Sequence, residues 1–90
     1  MDKGRAIRIC KEALDKWGSD AQIEMVFEEL GELETAIARH KRGRASSKDV
    51  ITELADVTIM CQQMALLFGY DDYEKEIENK LERLERRLNK

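Results

Sequence analysis

Two short acidic patterns carry the chemistry this chain could do: Glu28-Glu29-x-x-Glu32 and, further along, Glu53-x-x-Asp56. Carboxylates three or four residues apart on a helix are neighbours on one face. Grouped carboxylates are the usual protein ligands of hard divalent cations, and Mg²⁺ held this way keeps several waters, which leaves positions for phosphate oxygens. The direction in which these side chains point decides whether that chemistry is worth considering. With about 100° of rotation per residue, the apolar stripe around the first pattern (Ile23, Val26, Phe27, Leu30, Leu33, Ile37) centres near Leu30. Glu29 lies at the edge of that stripe, and Glu32 is one turn further on the same side. Glu28 falls toward the polar face, although it still neighbours Glu32. In the second pattern, Glu53 and Asp56 open a face that Met60, Met64 and Leu67 continue.

A lone carboxylate on an apolar face costs several kcal/mol unless it is neutralised. Four carboxylates facing one another repel and raise each other's pKa values. Lys48 is the only cation within reach on the second segment, so a bound divalent cation is the economical solution. The alternative is a solvated acidic face with i,i+4 partners among Lys and Arg. That reading is adopted for Glu24, Glu34, Glu74, Glu76, Glu78, Glu82 and Glu85. A di-iron centre would need Glu-x-x-His motifs, and the one histidine, His40, is not at that spacing. No nucleophile constellation is visible, and Cys10 and Cys61 read as core residues.

Four helices are expected to position these groups. The first runs from about Lys3 to Lys16 and is ended by Trp17-Gly18. The second is capped by Ser19, with Gln22 completing a capping box, and runs through Arg39-His40-Lys41-Arg42 to a stop at Gly43. Cations at such an end complement the helix dipole, and with Arg44 they read as a solvated helix terminus in preference to a phosphate-gathering loop. Ser46 or Ser47 caps the third helix, with Asp49 in its first turn. From Leu54 to Phe68 this helix is apolar almost all round, which makes it the candidate centre of the core. Gly69 ends it, and Asp71 with Glu74 caps the fourth, whose stripe is Tyr73, Ile77, Leu81, Leu84 and Leu88. The fold class is therefore all-α, a four-helix bundle in one domain over residues 1–90.

Composition sets the outer bounds. A chain of 90 residues with 39% charged side chains and no proline suits amphipathic helices. A domain this small buries only about 60–65% of its unfolded surface, so a carboxylate-lined cleft favours completion of the core by partner copies. The net charge of −3 argues against coating a nucleic-acid polymer. Two cysteines without metal-ligand or disulfide spacing point to a reducing, cytoplasmic setting. No signal peptide is expected, and no membrane span, because the nearly uncharged stretch from Val57 to Tyr70 is short for one.

Gln22, then Glu28-Glu29-Leu30-Gly31-Glu32-Leu33, then Glu53-Leu54-Ala55-Asp56-Val57 resembles the MazG-like nucleotide pyrophosphohydrolases of the all-α NTP pyrophosphatase superfamily. The likeness covers roughly Trp17 to Leu67 and continues more weakly into the last helix. It implies a MazG-like bundle, assembled as a homodimer or homotetramer with sites near subunit contacts. It implies cleavage of (d)NTP between the α and β phosphates to (d)NMP and pyrophosphate, by metal-activated water. By position, Glu29, Glu32, Glu53 and Asp56 look like the family's Mg²⁺ ligands, with Mn²⁺ as a substitute. Glu28 looks like its remaining acidic residue, an outer ligand or the group that orients water. Asn79-Lys80-x-x-Arg83 is similar to its late phosphate-binding residues, and Trp17 and Gln22 sit where its base pocket begins. Each of these has a plainer structural reading: Glu76–Lys80 pairing, a packed Trp, a capping glutamine. The chemistry fits independently, since phosphoanhydride cleavage asks for charge neutralisation and an in-line water more than for covalent help. Two alternatives stand beside it, a non-catalytic helical interaction module and a sensor that binds nucleotide without hydrolysing it.

Overall fold

The computed structural model describes residues 1–90 and contains four α-helices and no strand: α1 (Lys3–Trp17), α2 (Ser19–Lys41), α3 (Ser47–Phe68) and α4 (Tyr70–Leu88). The expected all-α, four-helix organisation is what the chain adopts. α3 is the hub. It packs most extensively on α2, then on α1, and only lightly on α4, while α4 packs against no other helix.

The helix ends show how short connections override side-chain caps. Asp2 caps α1 through the Arg5 N–H. The next helix then follows after one residue, Gly18, whose φ of +89° is accessible to glycine and strained for other residues. Gly69, at φ +139°, does the same between α3 and α4. A one-residue joint leaves no room for an extended capping residue. Both expected caps therefore fail: Ser19 and Asp71 lie inside their helices, and the glycines occupy the cap positions without any side-chain hydrogen bond. The longer joint after α2 behaves as expected for α3. Ser46 Oγ accepts from Asp49 N–H at 3.2 Å and Asp49 Oδ2 accepts from Ser46 N–H at 2.9 Å, a complete capping box. α2 itself stops at Lys41, slightly ahead of Gly43. The basic run beyond it is tied down: Arg39 donates to Arg44 O and His40 Nδ1 contacts Ala45 O.

Gln22, freed from capping, turns inward. Its Nε2 donates to Gln63 Oε1, and both side chains are buried. This polar clasp pins α2 to α3. Cys10 is the most deeply buried side chain, with its thiol against Ile59 O of α3. Cys61, expected in the core, is instead exposed, because it faces the side of α3 that α4 covers thinly. The expected i,i+4 pairs, Glu76–Lys80 among them, do not close. The one ion pair, Lys3–Glu74 at 2.8 Å, joins α1 to α4, and Tyr70 and Tyr73, half-buried with ring centroids 6.2 Å apart, seat the first turn of α4.

The single chain is loosely covered. Its radius of gyration is 15.4 Å, against about 12 Å for a compact domain of this length. Its accessible surface is 7131 Å², about 1,700 Å² more than a compact monomer of its mass exposes. Large apolar side chains account for much of this, Phe27 at 64% and Phe68 at 76% exposed among them. The α3 helix is longer than the uncharged stretch read from sequence, and by length and composition it could cross a membrane. Against that stand Glu53 and Asp56 one turn apart in its first half, and the densely charged α1 and α2 packed on it.

Gln22→Ala should strand the Gln63 amide and cost about 1–3 kcal/mol in urea unfolding, whereas Gln22→Leu with Gln63→Leu should be nearly neutral. Equal losses in the two variants would show that the clasp is not the buried polar contact described.

Candidate metal centre

The α2–α3 contact brings the two acidic patterns together. Glu29 from α2 and Glu53 and Asp56 from α3 place carboxylate oxygens within 4.8 Å of one another. Glu29 and Glu53 are half-buried and Asp56 is exposed. The shielding is local. One oxygen of each glutamate, Glu29 Oε2 and Glu53 Oε2, is closed off from solvent and has no hydrogen-bond partner, while the rest of each side chain still reaches water.

The electrostatics run in one direction. Loss of hydration, then the charges of Glu32, Asp56, Glu53 and Glu28, push the Glu29 carboxyl above the usual glutamate range. Glu53 is pushed the same way, by loss of hydration first and then by Glu32, Asp56 and Asp49. No cation offsets either shift. Shielded carboxylates are normally paired or metal-bound, and oxygens in a group this tight, with no ammonium or guanidinium among them, match the donor set of Mg²⁺ or Mn²⁺.

Glu32 and Glu28 stand outside the trio. Both are exposed, and Glu32 raises both inner carboxyls from close by. Together they line an open polar hollow of about 680 Å³ with Thr35, Arg39, Asp49 and Glu53. On the other side, Glu29 lies at an apolar hollow of about 490 Å³ walled by Val57, Met60, Met64, Phe68 and Tyr73. The carboxylate trio thus sits at the junction of a polar and an apolar recess.

The other sequence candidates lie elsewhere. Trp17 is exposed at the end of α1, with Lys16 Nζ 5.5 Å from its ring centroid. Gln22 is spent in the clasp with Gln63. Asn79, Lys80 and Arg83 line neither recess, and Lys80 lies along the α4 stripe beside Tyr73 and Leu84. Arg39 is the residue that sequence reading missed, having been assigned to a solvated helix end. Its signal was present: Glu28, Glu32, Thr35 and Arg39 fall at i, i+4, i+7 and i+11, one continuous helical face.

The sign of the pH dependence follows from the raised carboxyls. A carboxyl whose folded pKa is raised holds its proton more tightly folded than unfolded. Its contribution to stability is therefore complete below the ordinary glutamate pKa, about 4.3, and lost as pH rises through the raised folded value. In EDTA, Tm of wild type should fall relative to Glu29→Gln/Glu53→Gln as pH is raised from 4 to 7. Millimolar Mg²⁺ or Mn²⁺ should restore the wild type at pH 7 and have little effect on the double variant. Parallel melting curves for the two proteins across pH, with or without metal, would refute the centre.

Comparison with known proteins yields no match to this chain from any protein-family model, curated protein or solved structure.

Proposed function

We propose that this protein is a Mg²⁺-dependent nucleoside triphosphate pyrophosphohydrolase. The carrying observation is the pair of shielded, unpartnered oxygens of Glu29 and Glu53, crowded with Asp56 and in no ion pair with any cation of the chain. The likeness of the two acidic patterns to MazG-like enzymes supplies the reaction class.

On this reading Glu29, Glu53 and Asp56 hold the metal, and Glu32 swings in from the edge of the group as a further ligand. The metal, when bound, would neutralise phosphate charge and lower the pKa of a coordinated water. The chain's own groups then divide the rest. The polar recess suits the phosphate chain, with Arg39 offering a guanidinium that can pair bidentately with phosphate oxygens. Glu28, exposed on the same recess, would accept a proton from the attacking water. The apolar recess, with Tyr73 on its wall, suits a base and sugar. Water adds to one phosphorus, the anhydride oxygen between the α and β phosphates leaves, and the products are a nucleoside monophosphate and pyrophosphate. The excess apolar surface of the single chain supports assembly as a homodimer or homotetramer.

Pyrophosphate release across a panel of ribo- and deoxynucleoside triphosphates tests this reading. With Mg²⁺, at least one nucleotide should yield pyrophosphate and monophosphate, and EDTA should abolish it. Glu53→Gln and Asp56→Asn should fall to background with helical circular dichroism unchanged. Arg39→Ala should lose a charge-assisted contact of about 1.5–3 kcal/mol, tenfold or more in kcat/KM. Tight nucleotide binding without turnover would identify a sensor instead, and absence of both would leave the interaction-module reading.

A further inference from the structure

α4 contributes no buried residue to the bundle, yet its apolar residues are regularly placed. Ile77, Leu81, Leu84 and Leu88 are 42%, 55%, 50% and 76% exposed. Their spacings of four, three and four residues are those of a coiled-coil seam, with Leu81 and Leu88 at a positions and Ile77 and Leu84 at d. Hollows lie on both flanks of the stripe, one beside Tyr73, Ile77 and Leu81, the other beside Leu81, Leu84 and Leu88. A surface of ridge and flanking hollows is what a second helix of the same pattern fills.

The flanking charges choose the partner and its direction. In this register the e positions are Glu78 and Glu85, both acidic. The g positions are Tyr73, Lys80 and Arg87, the last two basic. Parallel helices pair each g residue with the e residue five positions further along the partner, while antiparallel helices pair g with g and e with e. An antiparallel copy of α4 would therefore set Lys80 and Arg87 against their own kind, and Glu78 against Glu85. A parallel copy sets Lys80 of each chain against Glu85 of the other, twice over by symmetry. Neither Lys80 nor Glu85 has an ion-pair partner within the chain.

We infer that α4 is a self-association surface, binding α4 of a second copy of this chain in parallel and in register, through the Ile77–Leu81–Leu84–Leu88 seam and reciprocal Lys80–Glu85 pairs. The assignment names the face and direction of association. It does not depend on the hydrolase reading, and it gives Lys80 a role away from the acidic centre. Leu at both a positions, with Ile at one of the two d positions, also suits bundles of more than two helices, so the proposal specifies direction and pairing, and the mass gives the number of chains.

Full-length protein in analytical ultracentrifugation tests it. Wild type should associate. Lys80→Glu sets two carboxylates at each reciprocal contact and Glu85→Lys two ammonium groups, so each variant alone should dissociate about tenfold more readily, within the range for losing two exposed ion pairs. The double swap should regain wild-type association, and an equimolar mixture of the single variants should associate with each other. In a Cys61→Ser background, Leu88→Cys should form a disulfide-linked pair with oxidised glutathione, since only parallel, in-register helices bring position 88 to its own copy. Monomeric wild type, single variants as associated as wild type, or no Leu88→Cys cross-link would each overturn the proposal. Circular dichroism of each variant separates loss of association from loss of fold.

Discussion

The carboxylates of Glu29, Glu53 and Asp56 repel one another, and the packing of α2 on α3 holds them together nonetheless. That packing must supply enough favourable energy from apolar burial and from the Gln22–Gln63 clasp to exceed the repulsion and the lost hydration of two oxygens. The rest of the molecule is arranged around this contact. α1 closes the other side of α3 through Cys10, the Ser46–Asp49 box fixes where α3 begins, and the loop after α2 is tied by Arg39 and His40. Carboxylates crowded in this way destabilise the fold unless they are protonated or paired with positive charge.

Coverage is the second constraint. Four helices of this length could form a closed bundle, but α4 leans on α3 alone and is held to α1 by one exposed ion pair. Exposed pairs contribute little, so they do not substitute for apolar packing. The surplus surface is similar in size to what a standard protein interface buries in total. Acidic centre and open flank are connected through the recess between α2, α3 and α4, where Glu29 meets Met60, Met64 and Tyr73. The first turns of α4 wall that recess through Asp72, Tyr73 and Glu76.

Much of the fold could be read from the chain. Apolar spacing, glycine punctuation and the Ser46 cap gave four helices within a few residues of their true ends, and helical rotation put Glu29, Glu53 and Asp56 on facing surfaces. Where the reading failed, a competing local option was stronger. Ser19 and Asp71 have capping chemistry, but a one-residue glycine joint pre-empted them. Gln22 could complete a capping box, but a buried amide opposite it offered a better partner. Cys61 has an apolar neighbourhood in sequence and still lies exposed, because burial depends on which helix arrives to cover a face.

The sequence by itself determined the helices, the sidedness of the acidic residues and the heptad along α4, because these are periodic properties of one segment at a time. Only the tertiary structure decided which carboxylates converge. Glu29, Glu53 and Asp56 form the tight group, while Glu32 stays at its edge and Glu28 faces the polar recess. The tertiary structure also brought Arg39 to that recess and left Lys80 and Arg83 away from it. The physical reason is that convergence depends on the rotation and axial offset of α2 against α3, and these are set by packing between residues far apart in the chain. The acidic patterns placed carboxylates on two helix faces; the α2–α3 contact determined which of their oxygens converge.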